Sequence, residues 1–262
     1  GRTPNPCVLC NPNIKFQRLI HHADEIGAYY IATGHYCRIL HDETNHAYYI
    51  RRAANDKKDQ SYMLYRLGQE VLSRLIFPLG EFLSKEDTRE LARERHLRNA
   101  DKKDSQEICF IPDNDYAGFI DRECGEMVPP PGNFVSVDGE ILGRHKGITH
   151  YTIGQRKGLG IAFGYPVFVT EIRPETNEVV LGSDKDVYTN RLYANQLNFM
   201  ALSDIEEPVR LKAKIRYSHA GSCCTVRRTG ADEICCEFEE PVRAETPGQA
   251  VVLYDGDYVA GG

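Results

Sequence analysis

The chain has 262 residues, 41% of them hydrophobic and 27% charged, with a formal net charge of -6. That length accommodates two or three domains with cores of their own and excludes a small disulfide-stapled scaffold. No apolar run approaches the roughly 18 residues of a membrane helix, the opening residues lack the regions of a secretory signal, and the acidic balance argues against holding nucleic acid by bulk positive charge. Local basic clusters do occur, at Arg51 and Arg52, Lys102 and Lys103, Arg156 and Lys157, and the stretch 212–216. Taken singly, each reads as solvated surface.

The first segment, GRTPNPCVLCN, sets Cys7 and Cys10 three apart behind a rigid Pro-Asn-Pro. That spacing serves metal knuckles and dithiol redox motifs alike, and a single such pair does not decide between them. Next, Phe16, Leu19, Ile20, Ala23 and Ile26 recur at helical spacing and Gly27 supplies a stop, which predicts a helix packed on a sheet. Tyr29 to Thr33 reads as a short buried strand leading into Gly34 and His35, and in open α/β sheets ligands sit beyond the carboxyl ends of strands. In SKEDTRELARERHL, Ser84 and Asp87 form an approximate capping box ahead of a helix whose apolar face includes Leu91 and Leu97, a scaffold element.

Cys109 follows in KKDSQEICFI, where Lys102 and Lys103 would favour a thiolate, although a buried strand cysteine fits the local sequence equally. A domain boundary is expected near Pro112 to Tyr116. Pro129 to Pro131 and Gly132 then break the chain, and short strands with Asp-Gly turns take over. The expected divisions are 1–114, 115–165 and 166–262, an α/β domain, a small central domain and a β-barrel. Cys223, Cys224, Cys235 and Cys236 lie in the last of these. Adjacent cysteines on a strand face opposite ways and cannot easily share an ion, so they read as structural, half of them buried. Nine cysteines, an odd number without an export signal, fit a reducing cytoplasm.

Six segments, GRTPNPCVLCN, ATGHY, KDQSYML, KKDSQEICFI, VDGEILGRHKGITHYTIGQRKGLGI and TPGQAVVLYDGD, run in order along almost the whole chain and together resemble the tRNA-specific 2-thiouridylase family. The resemblance implies an ATP-dependent sulfurtransferase with an adenine-nucleotide α-hydrolase-like (PP-loop) α/β domain, a central tRNA-binding domain and a C-terminal β-barrel. Its substrate would be a tRNA with a wobble uridine, its cofactor ATP with Mg2+, and its partner a sulfur-carrier protein or cysteine desulfurase relay. Carried over residue by residue, it makes Cys10 the nucleophile and Cys109 the persulfide carrier. Asn5, Pro6 and Cys7 would contact the target base, Gly34 would approach ATP through its backbone, and His35, Lys58, Asp59, Gln60, Arg216, Tyr217 and Gln249 would contact tRNA. The basic loop 155–160 is suited to tracking a phosphate backbone.

The chemistry agrees with that assignment. Exchanging a carbonyl oxygen for sulfur needs a leaving group, which ATP creates, and a second thiol to release sulfane sulfur. Cys7, Cys10 and Cys109 also leave open an iron-sulfur cluster with one free iron site. The family's glycine-rich pyrophosphate loop, of the type SGGxDS, is not found in these residues. With the opening at Gly1, that points to a truncated sequence, for which a non-catalytic tRNA-binding role is the alternative.

Overall fold

The computed structural model describes residues 1–98, 100–101, 108–111, 113 and 115–262. In chain order the main helices are α1 (Pro6–Cys10), α2 (Phe16–Glu25), α3 (Gln69–Leu72), α4 (Lys85–Glu94) and α5 (Tyr116–Cys124). The strands are β1 (Ile31–Ala32), β2 (Arg38–Asp42), β3 (Ala47–Arg51), β4 (Leu75–Ile76), β5 (Asn133–Ser136), β6 (Ile141–Arg144), β7 (Phe168–Arg173), β8 (Glu178–Gly182), β9 (Tyr188–Asn195), β10 (Val209–Lys214), β11 (Ser222–Gly230), β12 (Glu233–Arg243), β13 (Val252–Asp255) and β14 (Tyr258–Gly261). No helix among the described residues is long and apolar enough to cross a membrane.

The chain forms two compact units that cut across the expected divisions. One comprises Asn5–Asp104, Tyr193–Cys236 and Ala250–Gly262. In it, β1 pairs in parallel with β4, and a second sheet runs β2-β3-β14-β13-β10-β11-β12-β9, with the chain leaving and re-entering the unit inside β9 and β12. Residues expected in the first and third domains therefore share one body, because their apolar surfaces are buried together. Val8, Phe16, Tyr62 and Leu72 form a single core cluster with Met200, Val252, Tyr254 and Val259. Two further contacts reinforce this: β3 pairs with β14 at Arg51 and Tyr258, and the Asn198 side-chain amide donates to the Tyr65 carbonyl at 2.7 Å.

The other unit comprises Gly1–Pro4, Ser105–Leu192 and Glu237–Gln249. Its four-stranded sheet runs β6-β5-β8-β7 around Phe134, Tyr151, Val169 and Leu181. The boundary expected after Tyr165 falls inside this body, because β5 pairs in parallel with β8 from Asn133 and Glu178 to Ser136 and Leu181. His145 staples the unit's turns. Its Nδ1 accepts from the Gly132 and Gly147 amides at 3.3 and 3.0 Å, which leaves Nε2 to donate to the Asn177 carbonyl at 3.0 Å.

Several local expectations are modified. The helix ending near Gly27 forms, but it buries only Phe16 and Ala23, while Leu19 and Ile26 remain exposed. The strand expected over 29–33 contracts to Ile31–Ala32, with Tyr29 and Tyr30 exposed. Ser84 and Asp87 form the full reciprocal capping box. Of the four strand cysteines, Cys224, Cys235 and Cys236 are buried and Cys223 is exposed, one more buried than alternation alone implies.

Candidate functional site

The Cys7–Cys10 turn is built by its neighbours. The Asn5 side chain accepts from the Cys7 amide at 3.1 Å as the N-cap of α1, and Pro6 occupies the first helical turn, where a missing N–H is harmless. Pro12 then interrupts the ladder. Lacking an N–H, it cannot donate to the Val8 carbonyl, and the helix widens into a π turn, Asn11–Lys15, closed by the Phe16 amide on the Asn11 carbonyl. The Asn13 amide takes over the Leu9 carbonyl at 2.9 Å.

Cys10 thus ends α1 directly before the widened turn, and its three-residue spacing from Cys7 puts both half-buried thiols on one side of the helix. Val8 and Asn11 occupy the inward side. The Asn11 amide, buried, donates to the Met63 carbonyl at 3.0 Å and ties the cysteine turn to the segment after Lys58, Asp59 and Gln60. No sequence motif singled out Asn11. Its signal was a polar residue at a core-facing helical position.

His35 packs between Phe16 of α2 and Phe77, with ring centroids 5.8 and 5.9 Å away, and its Nδ1 lies 2.8 Å from the Thr33 hydroxyl. Burial, helped by Lys15, pushes its pKa down to about 4, so the imidazole is neutral at physiological pH. Gly34, beside it, opens onto a cavity of about 590 Å³ lined by Tyr36, Leu79, Thr88, Arg89, Leu91 and Arg95, among others. Helix α4, expected only as scaffold, is one wall of this cavity.

The Lys58, Asp59 and Gln60 segment joins both neighbourhoods. Gln60 exchanges two hydrogen bonds with the Tyr36 backbone, each 2.9 Å, and the Tyr36 hydroxyl donates to Thr88 of α4 at 3.1 Å. Asp59, expected to touch RNA, is instead an internal anchor. Its buried carboxylate accepts from the Ala53 amide at 3.0 Å and the Ser61 amide and hydroxyl at 3.3 and 2.8 Å, and it pairs with Arg52 at 3.6 Å. The chain folds this way because a carboxyl group taken out of water needs hydrogen-bond partners to replace that water.

From the far end of the sequence, Tyr217 brings its ring to 6.1 Å from that of Tyr62, so Arg216 and Tyr217 join the Lys58 segment within one unit. Gln249 belongs to the other unit, where its amide donates to the Thr3 carbonyl at 2.6 Å. Cys109, also there, is exposed. Lys102 and Lys103, expected to favour its thiolate, lie outside the described residues.

Of the groups the sequence implied, an adenine nucleotide fits the residues around Gly34. Leu79, Leu91, Ala92 and Leu97 offer an apolar wall for a base, Lys85, Arg89 and Arg95 offer cations, and the buried Arg89 Nε has no hydrogen-bond partner among the described residues. A side chain at Gly34 would project to 3.8 Å from Leu79 and occupy the cavity's edge. No group of three His, Cys, Asp or Glu side chains gathers as a metal site among the described residues.

Family models match the chain throughout: a tRNA methyl transferase HUP domain at residues 1–113, a tRNA methyl transferase PRC-barrel domain at 117–183 and an aminomethyltransferase beta-barrel domain at 189–262. The mixed α/β and β architecture is that of these three parts. A protein from Lachnoclostridium phytofermentans named tRNA-specific 2-thiouridylase MnmA is 56% identical over 262 residues, 100% of this chain and 72% of the relative. Its namesakes from Carboxydothermus hydrogenoformans and Clostridium acetobutylicum are each 50% identical over 100% of this chain, which covers 71% and 73% of their respective lengths.

Proposed function

Because this chain belongs to the tRNA-specific 2-thiouridylase family, we propose that it replaces the C2 oxygen of a tRNA wobble uridine by sulfur, using Cys10 and Cys109. The protein is a sulfurtransferase that thiolates tRNA. When bound near Gly34, ATP with Mg2+ supplies the adenylyl group that turns the uridine oxygen into a leaving group.

The cysteines then divide the sulfur chemistry. Cys109 carries a sulfane sulfur as a persulfide, loaded by a sulfur-carrier protein or a desulfurase relay. The Cys10 thiolate attacks the Cys109 sulfur, the persulfide S–S bond breaks, and a Cys10–Cys109 disulfide forms. The terminal sulfur leaves with the electron pair and becomes the C2 substituent. The sulfane sulfur is reduced and the two thiols are oxidised, so an external thiol reductant must reset the pair after each turnover.

The observation that carries this reading is the placement of Cys10. It is half-buried at the end of a capped helical turn that Asn11 pins to the Lys58 segment and that packs through Phe16 onto His35. Asn5, Pro6 and Cys7 hold or adjoin the target base, and the neutral His35 offers a ring without adding charge. Lys58, Gln60, Arg216, Tyr217 and Gln249 serve the tRNA, with Asp59 anchoring the Lys58–Gln60 segment from within. Local Arg, Lys and Tyr side chains of this kind let a chain that is acidic overall contact phosphates and stack bases.

The test is a thiolation assay with ATP, a persulfide donor and unmodified tRNA, read by mass spectrometry of the nucleosides. Cys10→Ser and Cys109→Ser should each abolish 2-thiouridine while tRNA affinity persists. Full product from either variant defeats the mechanism. Tight tRNA binding with no product from the unaltered protein favours a binding module instead. Stoichiometric iron after anaerobic purification redirects Cys7, Cys10 and Cys109 to a cluster.

A further inference from the structure

The stretch 212–216, which reads in the sequence as ordinary solvated charge, is organised by the fold. On β10, Lys212 and Lys214 alternate with the inward Leu211 and Ala213 and so share one face. On that face Lys212 stands opposite Cys223 of β11 and Tyr254 of β13. The Lys212 stem lies over Gly221, whose φ is +89°, and a Cβ there would come within 2.9 Å of Lys212 Cε. Lys214 is almost fully buried, its ammonium 5.9 Å from the Tyr62 ring centroid and 5.7 Å from that of Tyr217.

The turn that follows is clamped by His219. Its Nδ1 accepts from the Ile215 amide at 3.4 Å, its Nε2 lies 3.4 Å from the Ser222 hydroxyl, and its backbone amide donates to the Arg216 carbonyl at 3.1 Å. Burial first, then Arg216, Lys214 and Lys212, disfavour the imidazolium, which identifies these three cations as neighbours of one ring. Among the described residues, no carboxylate pairs within ion-pair distance with Lys212 or Lys214. Asp59, the acid acting most strongly on Lys214, is committed to Ala53, Ser61 and Arg52.

We propose that Lys212 and Lys214, with the His219-clamped turn, form a phosphate-binding strip that holds the RNA backbone beside Tyr217. Cations crowded together on a rigid strand are stabilised by an anion. A row at alternate strand residues, roughly 7 Å apart, suits successive phosphodiesters of an extended RNA strand. The two tyrosine rings fix the Lys214 ammonium by cation–π contact, and the half-exposed Tyr217 ring would lie next to the phosphate that Lys214 holds. The inference rests on the proposed tRNA function and adds two residues and their geometry to it.

The test is anisotropy of a labelled unmodified tRNA titrated with protein across a range of salt. Lys212→Gln, whose side chain is exposed, should leave the melting temperature unchanged, weaken binding several-fold at low salt and flatten the plot of log affinity against log salt by about 0.7–0.9. Lys214→Met, measured well below its own melting temperature because this residue is buried, should likewise weaken binding and flatten the slope, and Lys214→Arg should restore the slope. An unchanged affinity and slope for Lys212→Gln overturns the strip while thiolation by the unaltered protein keeps the functional reading intact. Protection of Lys212 from amine labelling by inorganic phosphate, with no change in the RNA slope, also overturns it. Absence of tRNA binding by the unaltered protein removes both readings.

Discussion

Two groups of cysteines in this chain have opposite fates. Cys7 and Cys10 lie on a helical turn, where a spacing of three puts both thiols on one side and leaves them half-buried. On β11 and β12, the adjacent pairs Cys223 and Cys224, Cys235 and Cys236 follow the strands, and three of the four sink into the interior. Contact with Cys224, together with burial, pushes the Cys236 thiol far up, away from the thiolate that attack on sulfur requires. The difference teaches that the backbone element beneath a cysteine, more than how many cysteines cluster in sequence, governs how far its thiol is buried.

The strongest way to break this comparison is to exchange the roles by mutation. Cys10→Ser is expected to lower the rate of 2-thiouridine formation by at least about 1,000-fold, in the range of losing a covalent nucleophile. Cys223→Ser, exposed but on a strand, should leave that rate within about twofold. Equal losses in the two variants would erase the distinction.

A second effect concerns the ring that α2 buries. In the folded protein His35 titrates at about 4 rather than 6.5. The unfolded chain therefore binds a proton that the folded one rejects, and the folded state keeps its full stability above pH 6.5. Between pH 6.5 and about 4 that stability falls, by up to about 3 kcal/mol for this group alone. Denaturant unfolding of the protein and of His35→Gln at pH 7 and pH 5 should show a steeper acid loss in the unaltered protein, and parallel losses would contradict it.

In the sheet, Cys236→Ser places a more strongly polar hydroxyl in an apolar setting and should cost about 2 kcal/mol, seen as a lower denaturation midpoint. Thiolation measured well below the melting temperature should persist, in contrast to Cys10→Ser. The smallest effect is expected for Asn11→Ala, which removes the bond to the Met63 carbonyl. About 1 kcal/mol of stability should be lost, together with a fall in kcat at unchanged tRNA affinity, because the turn carrying Cys10 is no longer pinned.

The helix over Phe16–Glu25, the Ser84 cap and the strands after Pro166 were legible because each is written in a local period or a turn residue. The β2–β3 hairpin and α5 passed unread. The first carries alternation interrupted by Asp42 and Asn45, whose side chains build the turn, and the second is short and weakly amphipathic. Cys10, His35 and the residues flanking Asp59 were legible as motifs. That Asp59 is an anchor rather than a contact was not, since a motif specifies residue type and not burial.

By itself the sequence determined the order of chemistry-bearing segments, the element types and the pairing of helix caps and turns, all set by neighbours a few residues apart. Only the tertiary structure decided that 5–104 shares a core with 193–236 and 250–262, that Asn11 holds the cysteine turn and that Lys214 lies between two tyrosines. Those outcomes depend on burying apolar surface and satisfying buried polar groups between distant segments, and no local pattern carries that information.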